Sequence, residues 1–146
     1  MGVKIGVVQR DEVTAVLALL AESGLPPEGL SEHLAATLVA RDNGAIVGSA
    51  ALELYGHAAL LRSVAVTATH RGQGLGVRLS EAALELARQK RVTEVYLLTE
   101  TAVSFFPKLG FQQVNRDEVP EAVQMSLEFT ELCPDSAVAM ALRLGE

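Results

Sequence analysis

The stretch Arg71-Gly72-Gln73-Gly74-Leu75-Gly76 decides the fold of this chain, and it lies between an apolar run at residues 60–66 and an amphipathic run at residues 75–89. Because glycine has no Cβ, these glycines let the backbone approach a ligand closely and turn several amide groups toward one point. The first turn of a helix follows at once, with unpaired N–H groups and the positive end of its dipole. A strand, a glycine loop and a helix N-terminus in this order predict an anion site, most often for phosphate, and Arg71 adds a cation beside it.

Two other glycine-loop motifs do not fit this stretch. A Rossmann loop needs a third glycine where this chain has Val77 or Leu79. A Walker loop needs Gly-Lys followed by Ser or Thr, which the chain does not contain. The remaining alternative is an ordinary strand-to-helix turn that binds nothing.

The composition indicates a single domain, residues 1–146, with 49% hydrophobic residues and a formal net charge of −6. The acidic balance disfavours nucleic acid as a partner, so the Arg71 loop suits a small phosphorylated ligand better than a polyanion. No apolar run approaches the ~18 residues of a membrane span, and the N-terminus lacks a signal-peptide layout. With a lone cysteine, which fits a reducing compartment, we expect a cytoplasmic protein that does not contact membranes.

Hydrophobic periodicity predicts an α/β (α+β) fold with the order β-α-α-β-β-β-α-β-α-β-(α)-β and a mixed sheet of six to seven strands flanked by helices. Strands are predicted at residues 3–8, 37–41, 45–55, 59–66, 95–98, 111–114 and 137–144. Helices are predicted at residues 12–21, in a short segment up to Leu34, at 75–89, in a brief segment from Ser104, and at 117–131. Asp11 and Ser104 are the expected helix caps. The predicted buried faces are Val13, Val16, Leu17 and Leu20 in one helix, and Leu75, Leu79, Ala82, Ala83 and Leu86 in another.

Two motifs resemble those of the GNAT N-acetyltransferases. Val66-Thr67-Ala68-Thr69-His70-Arg71-Gly72-Gln73-Gly74-Leu75-Gly76 resembles the family's acetyl-CoA signature, R/Q-x-x-G-x-G/A. Phe105-Phe106-Pro107-Lys108-Leu109-Gly110-Phe111 resembles its second landmark, a short helix ending in K-x-G-F. Their separation and the predicted order of elements also fit that family, and so this resemblance implies the GNAT fold over the whole chain.

Four shorter stretches resemble the arsenic-resistance-operon N-acetyltransferases, which are similar to the acetyltransferase domain of N-acetylglutamate synthases. The stretches are Glu53-Leu54-Tyr55-Gly56, Leu60-Leu61-Arg62-Ser63, Leu97-Leu98-Thr99-Glu100-Thr101 and Glu128-Phe129-Thr130-Glu131-Leu132-Cys133-Pro134. This second resemblance implies an amino-acid-like acceptor, such as an arsenical or another toxic amine, and a role in arsenic resistance.

The family resemblance implies direct transfer of the acetyl group from acetyl-CoA to an amine, without a metal. The strand at residues 95–98 would splay away from its neighbour and open a cleft. The residues implied to bind acetyl-CoA are Arg71, Gly72, Gln73, Gly74, Leu75 and Gly76 at the pyrophosphate, Val64, Ala65 and Val66 along the pantetheine arm, and Phe105 and Phe106 on the far wall. The backbone amide of Val66 would face the thioester carbonyl, where an oxyanion develops.

The sequence contains a candidate general base but no tyrosine at the position of the family's usual general acid. Many family members carry a tyrosine as the general acid where this chain has Phe106, which cannot donate a proton. Glu53 is the candidate base, acting directly or through water, because it is a carboxylate in an otherwise apolar strand; the alternative is a solvent-facing glutamate. Leu60 stands where the glutamate-synthase relatives carry a glutamate, so that role is vacant here.

The candidate acceptor-binding residues are Arg62, Ser63, Thr99 and Glu100. Arg62 either binds an acceptor carboxylate through its guanidinium fork or pairs with Glu53 across the two strands. Thr99 and Glu100 follow a central strand at the mouth of the cleft, where they either contact the amine or cap the next helix.

Cys133 and the histidines suggest little further chemistry. Cys133 as a nucleophile would form an acetyl-enzyme, and it could instead be a soft ligand for an arsenical, but free cysteine is most often a buried hydrophobe. His33, His57 and His70 do not fall at metal-ligand spacing, so no metal site is predicted.

Two classes of function follow. The first is an acetyl-CoA-dependent N-acetyltransferase acting on a small-molecule amine. The second, motivated by Phe106, is a non-catalytic acyl-CoA-binding sensor or partner module on the same fold. A protein substrate with a basic tail is a third option, because the chain is acidic, but Arg62 in the cleft favours an acceptor with a carboxylate. Edge strands near the C-terminus could support a homodimer.

Overall fold

The computed structural model describes residues 2–100, 102–126, 129 and 137–144. They form a seven-stranded sheet in the order β1-β2-β3-β4-β5-β7-β6. The strands are β1 (Lys4–Val7), β2 (Thr37–Asp42), β3 (Ala45–Tyr55), β4 (Ala58–Val66), β5 (Glu94–Thr99), β6 (Gln112–Val114) and β7 (Val138–Arg143). The α-helices are α1 (Val13–Glu22), α2 (Leu75–Gln89) and α3 (Glu121–Gln124), and 3-10 turns occur at Arg10–Glu12, Leu30–Ala36, Ala68–His70, Phe106–Leu109 and Arg116–Glu118. The predicted mixed sheet is confirmed, since β4 and β5 pair in parallel while the other neighbours are antiparallel.

Strands β2, β3 and β4 form an antiparallel meander, as the turn residues predicted, and β1 pairs antiparallel with β2. Asn43 and Gly44 both have positive φ, 54° and 86°, which is the backbone of a two-residue type I′ hairpin turn. Gly56 has a φ of 68° in the turn between β3 and β4. These turns fix the register that places β4 in the middle of the sheet, next to β5.

Helix α1 begins later than predicted. A 3-10 turn at Arg10–Glu12 precedes it, and its N-cap is Glu12, so the prediction of Asp11 as the cap is wrong. The carboxylate of Glu12 accepts a hydrogen bond from the Gln9 amide at 2.8 Å, which closes the turn before the helix. Leu17 is 37% exposed, whereas Leu19 is buried, so the core-facing side of the helix is rotated toward Leu19.

Helix α2 has the predicted bounds and packs its apolar face on the sheet. Leu75, Leu79 and Ala83 are buried as predicted, whereas Ala82 and Leu86 are only partly buried. The buried side also includes Ser80, Leu84 and Ala87. The buried face of α2 is therefore shifted by one position along the helix relative to the predicted face.

The segments after β5 depart most from the prediction. Phe105 precedes the 3-10 turn at Phe106–Leu109, so Ser104 is not its cap, but Gly110 ends the turn as expected, with a φ of 103°. The helix predicted at 117–131 is wrong, because Pro120 separates a 3-10 turn from the short α3. Proline lacks the N–H that a continuing helix needs. Residues 127, 128, 130 and 131 of that predicted helix, and Cys133, lie outside the described residues.

Gly48 sets how closely α2 approaches the sheet. A Cβ at this position would lie 2.6 Å from Leu79 Cδ1 and 3.2 Å from the Ala65 carbonyl oxygen. We therefore expect Gly48→Val to lower the free energy of unfolding by about 1–3 kcal/mol, because the overpacked helix must move outward. Urea unfolding measures the change, and Gly2→Val is the control, since nothing lies within 4 Å of a Cβ there. An unchanged midpoint for Gly48→Val would contradict this packing.

An ion pair ties the first turn to β2. Arg41 Nε lies 2.5 Å from Glu12 Oε2, and Arg41 Nη2 lies 2.7 Å from Glu12 Oε1. The hydrogen bond from Arg41 lowers the pKa of the Glu12 carboxyl from its ordinary value of 4.5. A lowered folded-state pKa adds stability that is present at neutral pH and is lost as the pH falls through that pKa.

We expect Glu12→Gln to lower the free energy of unfolding by about 1–3 kcal/mol at pH 7. Because protonation of Glu12 removes the same interaction in the wild type, the difference should shrink as the pH falls below 4.5. Urea titrations at pH 7, 5 and 3 (about two-unit steps across the carboxyl range) measure it. A difference that is constant over this range would show that the carboxylate charge contributes nothing.

Candidate functional site

A cleft opens where β4 and β5 separate. The two strands pair only from Ala58 and Glu94 to Leu60 and Tyr96, whereas β5 remains paired with β7 as far as Thr99. The divergence beyond Leu60 leaves a cleft of about 600 Å³. The predicted splaying of this strand is confirmed.

Most of the predicted site residues line the cleft. Those that line it are Arg62, Ser63, Val64, Ala65, Val66, Arg71, Gly76, Thr99, Glu100, Phe105 and Phe106. The loop after α1, residues 23–26, forms part of the wall and was not predicted to do so. Glu53, Gly72, Gln73, Gly74 and Leu75 are not among the described residues that line the cleft.

Strand β4 carries a bulge beside the cleft. Ser49 pairs with Ala65 but Ala51 pairs with Arg62, so β4 holds one extra residue between these pairs. Ser63 has a φ of 59°, and its carbonyl accepts a hydrogen bond from Ser49 Oγ at 2.7 Å. A bulge of this kind re-aims the residues that follow it. One sign of the bulge is visible in the sequence, because residues 62 and 63 are polar within an otherwise apolar strand.

The end of β4 presents backbone groups to the cleft. Thr67 N donates to the Val47 carbonyl at 2.9 Å. Hydrogen-bonded and non-bonded pairs alternate in an antiparallel ladder, so the next pair, Gly48 with Val66, is non-bonded. The N–H and C=O of Val66 therefore point away from β3, toward the gap that β5 leaves. Arg71 Nε donates to this Val66 carbonyl at 3.0 Å.

The glycine loop leads from β4 into α2 with its donors exposed. Gly72 and Gly74 each have a φ of 80°, and Gly74 is the N-cap of α2. Among the hydrogen bonds between described residues, none is donated by the backbone amides of residues 72–76. Unpaired amides beside the positive end of the α2 dipole have the geometry that an anion site requires. The anion site itself stays a prediction.

Arg62 and Glu53 form a buried ion pair beside the cleft. Their side chains are 0% and 4% exposed, and Arg62 Nη1 lies 2.7 Å from Glu53 Oε2. Arg62 also donates to the Pro26 carbonyl at 3.0 Å and to Ser63 Oγ at 3.1 Å. The pairing across the two strands is thus confirmed, and the alternative of a solvent-facing Glu53 is wrong because Arg62 compensates its charge inside the protein.

The other oxygen of Glu53 is also engaged. The Tyr55 hydroxyl donates to Glu53 Oε1, and His33 Nε2 lies 3.9 Å from the same oxygen. Burial and then the hydrogen bond to Glu53 raise the pKa of Tyr55, so its hydroxyl remains a donor at neutral pH. Sequence reasoning missed Tyr55 and His33. The spacing of Glu53 and Tyr55, two residues apart on one face of β3, was the available signal for the tyrosine.

Aromatic rings close the wall opposite β4. The rings of Phe105 and Phe106 meet edge to face with centroids 5.0 Å apart, and Phe106 and Phe111 do so at 5.7 Å. A Cβ on Gly76 would lie 3.5 Å from the Phe105 ring, an ordinary van der Waals distance, so the ring packs beside the first turn of α2. Neither tyrosine of the chain is among the described residues lining the cleft, so none there replaces Phe106 as an acid.

Thr99 does what the capping alternative predicted, although the next described element is the 3-10 turn at Phe106–Leu109 and not an α-helix. Its hydroxyl oxygen accepts a hydrogen bond from the Ala102 amide at 3.0 Å. Glu100 is exposed at the mouth of the cleft. Within the described ranges, no group of three or more His, Cys, Asp and Glu side chains could hold a metal ion. No described helix combines the length and apolar character needed to cross a membrane.

Residues 33–113 match the sequence profile of the family described as "Acetyltransferase (GNAT) domain". An uncharacterized N-acetyltransferase of Chlorobaculum tepidum is 30% identical over 97 residues, which are 66% of this chain and 62% of that protein. N-alpha-acetyltransferase 30 of Schizosaccharomyces pombe is 30% identical over 92 residues, 55% of this chain and 59% of that protein. The matches thus span less than two thirds of either relative.

Solved structures share the fold. N-acetylglutamate synthase from Neisseria gonorrhoeae, complexed with coenzyme A and N-acetyl-glutamate, superposes with a TM-score of 0.85 at 22% identity, covering 100% of this chain and 36% of the synthase. The ribosomal-protein-S18-alanine N-acetyltransferase of Escherichia coli gives 0.76 at 19% identity, covering 99% and 96%. The profile match covers more than half of the chain, and these likenesses agree with it. The chain belongs to the GNAT acetyltransferase family and has the GNAT fold.

Proposed function

We propose that this domain binds acetyl-CoA between β4 and β5 and transfers the acetyl group directly to the primary amine of a small acceptor. The observation that carries the proposal is the set of donors at residues 72–76, which adjoins the cleft where β4 exposes its edge. Membership in the GNAT family and the relatives named as N-acetyltransferases support it.

In this proposal the backbone supplies most of the cofactor contacts. The amides from Arg71 to Gly76 hold the pyrophosphate, the β4 edge at residues 64–66 pairs with the pantetheine arm, and Phe105 and Phe106 line the far wall. The Val66 amide, which faces the gap, donates to the oxygen of the thioester carbonyl as negative charge develops there. One such donor is worth roughly 10²–10³ in rate.

The acceptor end is built around Arg62. We propose that its guanidinium binds a carboxylate of an amino-acid-like acceptor after the loop at residues 23–26 moves away, because Arg62 is fully buried and donates to the Pro26 carbonyl of that loop. Ser63 then lies beside the carboxylate, with Thr99 and Glu100 near the amine. The ion pair with Glu53 fixes the guanidinium in one orientation, which suits recognition of a planar carboxylate. The synthase complexed with N-acetyl-glutamate is consistent with such an acceptor. An amine-bearing arsenical, and hence a role in arsenic resistance, is the narrower form of this proposal.

Glu53 remains the candidate base, acting through water and not by direct contact. Both of its oxygens have protein partners, and it does not line the described part of the cleft. Phe106 cannot supply a proton, so water protonates the departing thiolate in this scheme. A CoA thiolate is a good enough leaving group for that.

The test measures release of free CoA thiol from acetyl-CoA with a panel of amino acids, their carboxamides and a basic peptide. We expect turnover with small α-amino acids and a loss of at least about tenfold in kcat/KM when the carboxylate becomes an amide, because the charge-assisted bond to Arg62 is removed. Equal rates for acids and amides would overturn the role of Arg62. No turnover and no CoA binding would overturn the whole proposal.

A non-catalytic CoA sensor is the second candidate, and Phe106 is the observation that favours it. The sensor would bind CoA but form no acetylated amine with any acceptor. Detection by mass spectrometry of one acetylated product, absent when heat-denatured protein is used, eliminates it.

We propose two further properties of this domain, its assembly and its location. The short edge strand β6 offers a place for two chains to pair as a homodimer, and light scattering at several concentrations tests this. We also propose a cytoplasmic location, where acetyl-CoA is made available, and fractionation of cells tests it.

A further inference from the structure

His70 lies directly before the glycine loop and joins it to β2. Its Nε2 is 2.9 Å from Asp42 Oδ2. On the other side of the ring, Nδ1 is 2.9 Å from Thr69 Oγ1 and 3.1 Å from Thr67 Oγ1. The His70 side chain is 19% exposed, so the ring is held by contacts on both of its nitrogens. The bond to Asp42 connects residues 28 positions apart in the sequence.

The glycine loop has few other contacts that could fix its shape. Nothing lies within 4 Å of a Cβ placed on Gly72 or Gly74, and the amides of residues 72–76 donate no hydrogen bond to the described protein. The C-terminal end of the loop continues into helix α2, which holds it in place. At its N-terminal end, the side-chain contacts are Arg71 to Val66 and the His70 cluster.

Asp42 is a suitable anchor for that cluster. It ends β2 and begins the tight turn at Asn43 and Gly44, whose positive φ values fix the backbone. Donors that are already oriented bind an anion more tightly than donors that must be ordered on binding, because the entropy of ordering is not lost again. The His70–Asp42 bond therefore fixes His70, the residue directly before the loop, to the rigid hairpin turn.

We propose that His70, held by Asp42, is a positioning residue that preorganises the amides of residues 72–76 for the diphosphate of the cofactor. The inference rests on the proposed function, since it assigns a role at the same site. His70 does not touch the cofactor in this scheme. It acts through the backbone of Arg71 and Gly72.

The test compares acetyl-CoA with S-acetylpantetheine, which lacks the diphosphate. We expect His70→Ala to raise the KM for acetyl-CoA and weaken CoA binding in calorimetry by about tenfold, with kcat within twofold and kcat/KM for S-acetylpantetheine unchanged. Asp42→Asn keeps an oxygen acceptor for Nε2–H and should retain most of the affinity, whereas Asp42→Ala should behave like His70→Ala.

Glu12→Gln is the matched control, because it breaks an ion pair on Arg41, the neighbour of Asp42 in β2, without touching the loop. We expect it to lower stability and leave CoA affinity unchanged. The inference is overturned if His70→Ala binds CoA as tightly as the wild type, or if its kcat/KM falls equally with acetyl-CoA and with S-acetylpantetheine. It is also overturned if Glu12→Gln weakens CoA binding as much as His70→Ala does. Wild-type protein that fails to bind CoA would instead overturn the proposed function.

Discussion

Glu53→Ala is expected to lower the free energy of unfolding by about 3–5 kcal/mol, since it removes one partner of a buried ion pair in which Glu53 Oε2 lies 2.7 Å from Arg62 Nη1. Neither the Pro26 carbonyl nor Ser63 Oγ, which also accept from Arg62, neutralises a charge. The Arg62 side chain is 0% exposed, so water cannot take the place of the carboxylate unless the loop at residues 23–26 opens.

Urea unfolding of Glu53→Ala and of a double variant measures this effect. Removing both charges with Glu53→Leu and Arg62→Met should restore much of the loss, because two apolar side chains can replace a buried ion pair at little cost. The exposed pair of Arg88 and Glu85, 3.7 Å apart with side chains 51% and 62% exposed, is the control. Glu85→Ala should cost under about 0.5 kcal/mol. A similarly small cost for Glu53→Ala would contradict the buried pair.

Gly74→Ala is expected to weaken CoA binding by about 100-fold, because it removes one or two charge-assisted bonds of roughly 1.5–3 kcal/mol each. A side chain at a φ of 80° is strained, and relief of that strain turns the neighbouring amides away from their common point. The CoA affinity of Gly74→Ala should therefore fall by more than the loss of folding stability alone would cause.

Gly56→Ala provides the matched control. Gly56 has a φ of 68° and, like Gly74, has nothing within 4 Å of an added Cβ, but it lies at the other end of β4. Both variants should lose about 1–2 kcal/mol of stability from left-handed strain, and only Gly74→Ala should lose CoA affinity in calorimetry. Equal affinities for the two variants would show that the loop does not hold the cofactor.

The parts of the fold that were predictable from sequence are those set by local pattern. Helix α2 has the predicted bounds because its apolar periodicity and the preceding glycines act within a few residues of one another. The helix predicted at 117–131 breaks at Pro120, which is itself a local signal, because proline lacks the N–H that a continuing helix needs. The predicted caps Asp11 and Ser104 failed because a 3-10 turn or loop occupies each position.

The acceptor end of the site was less predictable because its contacts are long-range. The positive φ of Ser63 arises from a register shift between β3 and β4, and no residue type demands it. The surroundings of Glu53 combine Arg62 from β4 with His33 from the segment before β2. A sequence can place Glu53 on a strand, but which of its neighbours share its carboxylate depends on the packing of the whole domain.

The most direct test of the central claim is a ¹⁵N-resolved NMR titration with CoA, with pantetheine as the comparison ligand. The account predicts downfield shifts of the amide protons of residues 72–76 with CoA, as they begin to donate to the diphosphate, and no such shifts with pantetheine. If these amides stay unmoved while CoA binds, the diphosphate is held elsewhere and the account is wrong.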